Sequence, residues 1–247
     1  VIGFAFRQIT KITQEQAENH LTFSGFQGMI DLPREEVKRA IAEAIAAGIE
    51  IKILTGDSAL TSRAIAEKIG LKGELIEGKE LEKLTETEWN DIVASRTIFA
   101  RITPQQKLKI VEILKARKEV VAVTGDGVND ILALKKADIG IAMGVRGSDV
   151  ARESREMVLL DDNFASIINA VREGRRVYSN LKKSIKFWLA ANIGEVFIVL
   201  AALSFGMPLP FLPLAILWMN LVTDSLPGLA LAAEPIESEV MKKKPGR

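Results

Sequence analysis

Three stretches of the 247-residue chain close an apolar run with residues that suit phosphate chemistry: "LTGD" at 54–57, "FAR" at 99–101 and "VTGDGVND" at 123–130. In the last of these, Asp126 and Asp130 offer the hard carboxylate oxygens that Mg²⁺ prefers. Gly125 and Gly127 let backbone amides come close to an anion, and Thr55 has a hydroxyl to donate. Lys107, in "ITPQQK", brings a positive charge to the start of a helix. Together such groups neutralise the charge on a transferring phosphoryl group. Singly each is ordinary, because "GDG" serves many turns and a helix-opening lysine usually faces solvent. What singles them out is joint placement at strand ends, where parallel α/β sheets form their ligand sites.

A second set stands in far more apolar surroundings. Asn192 and Glu195 are three residues apart, and Thr223 and Asp224 follow Asn220 by three and four. On α-helices each set shares one face. Ionisable groups inside an apolar span are costly and point to an ion pathway or a proton relay. Ligation by carboxylate, amide and hydroxyl oxygens suits a hard cation such as Ca²⁺. Gly194 and Pro227 are placed to loosen the backbone and lend carbonyls. Hydrogen bonding between helices is the plainer reading for Asn192 alone, but it leaves two carboxylates unaccounted for.

The elements that must position these groups alternate in type. Residues 1–9 and 21–30 read as strands, and the helix that follows opens at Pro33 and stops at Gly48. Strands are then expected at "IEIKILTGD", "TIFAR", "EVVAVTGDG", "DIGIAMG" and "MVLLD", with helices at "ALTSRAIAEKIG", "PQQKLKIVEILKARK" and "NDILALKKA". That alternation predicts a parallel sheet covered by helices. The polar segment 71–91 reads as a surface excursion of the same domain. From Asn163 helical periodicity runs unbroken to Phe205, and Phe187–Phe205 is long enough to span or nearly span the ~30 Å hydrocarbon layer. Residues 211–232 form a second, less regular apolar segment after a turn with three prolines.

Charge sorts the chain into two regimes. Residues 187–232 hold only two ionisable side chains, Glu195 and Asp224, although 26% of the whole chain is charged. Lys182, Lys183 and Lys186 precede the first span, and Lys242, Lys243, Lys244 and Arg247 follow the second. By the positive-inside rule both ends of the hairpin, and the soluble domain, face the cytoplasm. A buried helical hairpin in a soluble protein is the competing reading, and the basic flanks with Trp188 and Trp218 weigh against it. A net charge of +1 gives no basic excess for nucleic acid, and the absence of cysteine excludes disulfides and thiolate chemistry. The single histidine, His20, has no motif around it. Both ends read as cuts through something longer.

The ordered set "TGDSALTSRAIAEKIGL", "FARITPQQKLKIVEILK", "VTGDGVNDILALKKADIGIAMG" and "MVLLDDNF" closely resembles successive motifs of P-type cation-transporting ATPases. It covers almost the whole chain. The resemblance implies a Rossmann-like, haloacid dehalogenase-type parallel sheet, here incomplete, followed by a transmembrane helical hairpin. It implies a remnant of the nucleotide-binding domain at 1–24 and the C-terminal part of the phosphorylation domain at 25–162. A stalk and two membrane helices would occupy 163–232, with a cytoplasmic loop at 233–247.

Thr55, Gly56 and Asp57 would then belong to the phosphate and nucleotide site that takes ATP. Lys107 would contact the phosphorylated centre with Arg101 nearby, and Asp126 would bind Mg²⁺ with Asn129 and Asp130 completing the loop. "ANIGEV" and "LWMNLVTDSLP" look like the fifth and sixth membrane helices of Ca²⁺-transporting members of the sarco/endoplasmic reticulum type. There Asn192, Glu195, Asn220, Thr223 and Asp224 would be ligands of the transported Ca²⁺. Membrane lipid and the remainder of the same pump are the implied partners. Two departures stand out: Ile131-Leu132 replace the usual Ala-Pro, and the "DKTGT" segment with the phosphorylated aspartate is absent from these residues. Other ions (Mn²⁺, Na⁺ or H⁺), a non-catalytic membrane regulator and a soluble phosphatase of the same superfamily remain as alternatives.

Overall fold

A computed structural model describes residues 2–8, 21–28, 33–125, 128–145, 156–237 and 239–245. Two compact units result, residues 1–34 and 35–247. In the first, β1 (Ile2–Phe6) and β2 (Thr22–Gln27) form an antiparallel ribbon whose register shifts between Phe4 and Ala5. The rings of Phe23 and Phe26 meet at 4.8 Å. The expected boundary after residue 24 falls inside β2.

The second unit begins with α1 (Glu35–Ala46), which has acidic residues in its first turn and is followed by Gly48 at φ 76°. Strand and helix then alternate through β3 (Ile53–Leu54), α2 (Ala59–Lys68), β4 (Leu75–Glu77), α3 (Gly78–Leu81), α4 (Glu86–Ser95) and β5 (Ile98–Ala100). The order continues with α5 (Pro104–Ala116), β6 (Ala122–Gly125), α6 (Ile131–Lys136), β7 (Ile139–Met143) and β8 (Met157–Leu159). Capping is local and legible: Ser58, Thr85 and Thr103 each accept a backbone N–H at a helix start, and Pro104 fills the first turn of α5.

Every strand pairing in this unit is parallel, but the strands form two sheets, β3-β5-β4 and β6-β7-β8. Among the described residues β3 and β6 each pair on one side only. The halves are joined by α5. Its Ile110 and Ile113 pack with Phe99 and Ile102 of the first half, and its Val111 packs with Val121 and Ala133 of the second.

Segment 71–91 is not a surface excursion. It supplies β4, an edge strand of the first sheet, and places Ile76, Leu81 and Trp89 in the largest core cluster. Its few apolar residues sit among many charged ones, so composition concealed a strand and two short amphipathic helices. Lys109 covers the outer face of Trp89, 4.5 Å from the ring centroid.

From Asn163, whose side chain caps Ala165 N–H, α7 (Phe164–Ser204) runs 41 residues, about 60 Å at about 1.5 Å per residue. It passes through Gly194 without a break. After a turn, α8 (Pro213–Trp218), a π-helical turn (Met219–Thr223) and α9 (Ser225–Ala232) return along it. Phe164–Ser204 and Pro213–Ala232 are both long and apolar enough to cross a membrane.

Replacing Trp89 by alanine should cost about 3–5 kcal/mol in urea unfolding of the detergent-solubilised chain; a change within the ±0.5 kcal/mol usual at surface sites would return 71–91 to the surface. Asp138 gives a pH test. Its carboxylate accepts from Val121 N–H at 2.9 Å and pairs with Lys115 at 2.9 Å. The backbone hydrogen bond first, and the lysine second, hold its pKa below the ordinary carboxylate value. The contribution is therefore complete above the ordinary value and is lost as pH falls through the lowered one. Asp138→Asn should lower the unfolding midpoint at neutral pH and flatten its decline in acid, where the wild-type chain and the variant converge.

Candidate functional site

Thr55 follows β3 directly, its N–H bonded to Phe99 O at 2.9 Å, so the pairing with β5 continues one residue past the strand. Its hydroxyl accepts the N–H of Asp57 at 3.0 Å and folds Thr55-Gly56-Asp57 into a tight turn. The Asp57 carbonyl accepts Arg101 N–H at 3.0 Å, and the Thr55 carbonyl accepts Ile102 N–H at 3.1 Å. The strand ends after β3 and β5 are thus laced together. Arg101 takes φ 49°, a left-handed conformation costly for a residue with a Cβ and common where chains turn sharply at functional sites. Gly56, Asp57 and Arg101 are exposed, and Thr55 is half-buried.

Lys107 lies in the first turns of α5, and Asp130 ends the short 3₁₀ turn Val128–Asp130 before α6. The ammonium donates to Asp130 Oδ1 at 2.7 Å, with the side chains only 14% and 15% exposed. Because its carboxylate is turned to Lys107, Asp130 starts α6 without a side-chain cap. Gly125 makes room for this arrangement: a Cβ there would stand 2.7 Å from Asp130 Cβ and 2.8 Å from Oδ2. Asn129 is exposed. Asp126 and Gly127 lie outside the described residues, as do 146–155.

Sequence inspection passed over Gln106, which is buried beside Lys107. Its Nε2 donates to Gly78 O at 2.9 Å while its Oε1 accepts Thr103 N–H at 2.9 Å. Gly78 in turn lies so close to Arg101 O that no Cβ fits. Hydrogen bonds and close contact therefore run from the Thr55 turn through Arg101 and Gln106 to the start of α5, and from Lys107 to Asp130.

In the hairpin the expected ligands differ in exposure. Asp224 is 8% exposed, and its Oδ2 is buried with no hydrogen-bond partner. Asn220 and Thr223 are exposed, as is Asn192, whose amide donates to Trp188 O at 2.8 Å within its own helix; Glu195 is half-buried. A π turn separates Asn220 from Asp224. Asp224 N–H bonds back five residues to Met219 O at 2.9 Å, so the α-helical spacing rule fails across it. Among the described residues no three acidic or histidine side chains gather closely enough to hold a metal ion.

What holds the hairpin is a polar stripe at four-residue steps that sequence inspection did not isolate. Arg176 and Asn180 donate to Glu234 O, Asn180 also to Ala232 O, Ser184 to Gly228 O at 3.1 Å and Trp188 to Asp224 O at 3.0 Å. The regular spacing of Arg172, Arg176, Asn180, Ser184 and Trp188 was the available signal. Arg172 pairs with Glu43 of α1. Arg175 donates both to Ala47 O at the end of α1 and to Val240 O and Lys243 O of the returning chain. Lys183 pairs with Glu234 and Glu237 at 2.6 and 2.7 Å. Its hydrogen bond and charge, with Lys243 beyond, hold the Glu237 carboxyl below the usual range.

The profile of haloacid dehalogenase-like hydrolases matches residues 8–138, more than half of the chain. The chain belongs to that family. Residues 208–247 of this haloacid dehalogenase-like chain also match the C-terminal region of cation-transporting ATPases. It is 47% identical over 236 residues to a calcium-transporting ATPase of Bacillus subtilis (strain 168), covering 94% of this chain and 26% of that protein. It is 46% identical to an endoplasmic reticulum-type calcium-transporting ATPase 3 of Arabidopsis thaliana, covering 92% and 23%. A probable cation-transporting ATPase F of Mycobacterium tuberculosis (strain ATCC 25618 / H37Rv) is 45% identical, with 91% and 26% covered. The chain thus spans about a quarter of the length of these relatives.

Breaking the largely buried Lys107–Asp130 pair leaves one charge without its partner, which costs about 3–5 kcal/mol. Lys107→Met should lower unfolding free energy by about that amount. The double variant Lys107→Met/Asp130→Leu should recover at least half, and strictly additive losses would show that the two side chains do not act as a pair.

Proposed function

We propose that this chain is the part of an ATP-driven Ca²⁺ pump that joins half of its phosphoryl-transfer site to half of its ion site. The observation that carries the transport reading is the buried, unpartnered Oδ2 of Asp224 beside a π turn in an apolar helix. A carboxylate oxygen kept from water without a donor is costly unless a cation or proton meets it. With Glu195, Asn192, Asn220 and Thr223 it supplies oxygen ligands only, as a hard divalent cation requires. Ligands on helices outside these residues would complete the shell, which accords with the outward-facing Asn220 and Thr223.

On the soluble side, Lys107 is held by Asp130 at the strand ends, where its ammonium would meet the oxygens of a phosphorylated aspartate. The turn Thr55-Gly56-Asp57 and Arg101 would line the same site toward the nucleotide, and Asn129 would border it. The donor set of Asp126 and Asp130 fits Mg²⁺, which when bound would neutralise phosphoryl oxygens. The nucleophilic aspartate would come from outside these 247 residues. The one-sided pairing of β3 and β6 accords with a further strand entering there. The soluble domain would face the cytoplasm, and α7 would carry a shift at the phosphoryl site to Asp224 and Glu195.

In the full-length pump, Asp224→Asn and Glu195→Gln should each raise the Ca²⁺ concentration for half-maximal phosphorylation from ATP by at least about tenfold, or about 1.4 kcal/mol. Competition with Mn²⁺ and Na⁺ in the same assay identifies the ion. Saturation curves unmoved by both substitutions would sink the transport reading.

A further inference from the structure

Asp224 does not hold itself in place. The turn before it is a π turn, and Asp224 N–H ends it with a five-residue bond to Met219 O. Three residues after it stands Pro227, which has no N–H to give to the Thr223 carbonyl. The regular α-helical bonding is thus interrupted on both sides of the carboxylate, and Oδ2 has no hydrogen bond of its own to fix it. The position of such a buried group depends on contacts from outside its own turn.

The outside contact is Trp188. Its Nε1–H donates to Asp224 O at 3.0 Å, the same oxygen that accepts Gly228 N–H at 3.2 Å. Its indole also lies on Gly228, where a Cβ would stand 2.5 Å from Cζ2 and Nε1. One side chain therefore sets the main chain at Asp224 by a hydrogen bond and sets the α7–α9 spacing one turn later by contact. Ser184, a turn below, donates to Gly228 O at 3.1 Å, not to Asp224.

We propose that Trp188 is a positioning residue for the cation site: it orients the Asp224 backbone so that the carboxylate points inward. This inference rests on the reading of Asp224 as a cation ligand. Asp224 can then meet an ion without first ordering its own backbone, which makes part of the site ready before the ion arrives. Trp188 meets Asp224 through the backbone carbonyl and not the carboxylate, so it acts through Asp224 and needs no contact with the ion.

The test separates the N–H from the ring in the full-length pump. Trp188→Phe keeps a ring over Gly228 and loses the donor, Trp188→His keeps a donor, and Ser184→Ala removes the neighbouring rung only. Active sites are counted by phosphorylation from inorganic phosphate, and the Ca²⁺ saturation of phosphorylation from ATP is measured per site. Trp188→Phe should raise half-saturation about three- to tenfold, the worth of one net hydrogen bond, with the maximal level per site kept. Trp188→His should recover part of the shift, and Ser184→Ala should leave half-saturation within twofold. A Trp188→Phe pump with wild-type half-saturation overturns the proposal. So does one whose only change is a loss of countable sites, or a Ser184→Ala shift as large as that of Trp188→Phe, since each marks a general packing role. Asp224→Asn is run alongside: if it leaves saturation unmoved, the ligand reading fails first; if it alone moves the curve, only the role of Trp188 fails.

Discussion

Everything else in the second unit hangs on how α7 is rooted. Phe164, Ile167 and Ile168, all in its first two turns, reach three core clusters between them. Phe164 packs against the cluster around Ile98 and, with Ile167, against Ile141 and Leu159; Ile168 packs with Ala40 and Ala44 of α1. One helix end is therefore clasped by both half-sheets and by α1. The two sheets share no strand among the described residues, so α5 and this root are the principal apolar links between them. A helix anchored this way cannot tilt without disturbing both halves, and its far end lies about 60 Å away among the apolar residues.

The same helix then decides how the hairpin closes. In lipid, apolar side chains would give two spans no strong reason to pair, and pairing would come from close contact and hydrogen bonds. Here the donors are side chains of α7 and the acceptors are backbone carbonyls of the returning chain, one rung per turn from Glu234 to Asp224. Carbonyls as acceptors free the arrangement from the identity of the partner side chains, except at Gly228, where the indole leaves no space. Ion pairs add to these rungs, Arg172 with Glu43 near the root and Lys183 with Glu234 and Glu237 halfway along the helix.

Most of the frame could be read in advance because its signals are local. Glycine stops, a proline-opened helix and branched apolar runs located α1, α2, α5 and β5 through β8. Segment 71–91 escaped because burial there depends on a handful of side chains, Trp89 above all, whose partners lie on α5 and β5. The Lys107–Asp130 pair joins two residues that motif reading had assigned to one site, but only the fold shows the carboxylate turned to the lysine. The π turn escaped for a different reason: it depends on which carbonyl Asp224 N–H selects, and spacing carries no record of that choice. Trp188 reads in the sequence, with Trp218, only as a mark of a membrane hairpin, because its indole N–H matters only once Asp224 O is beside it.

That turn also sets the rotational phase of the second span. Residues four apart on an α-helix differ by only about 40° in direction, yet Asn220 is exposed and Asp224 buried. The five-residue turn works as a one-residue insertion that offsets everything after it relative to an unbroken α-helix. Phase makes length critical: deleting any one residue between 219 and 223 would swing Asp224, Pro227 and Gly228 around the axis together, separating the glycine from its indole and the carboxylate from its buried station. Natural variation in this stretch should therefore change residue types far more readily than residue number.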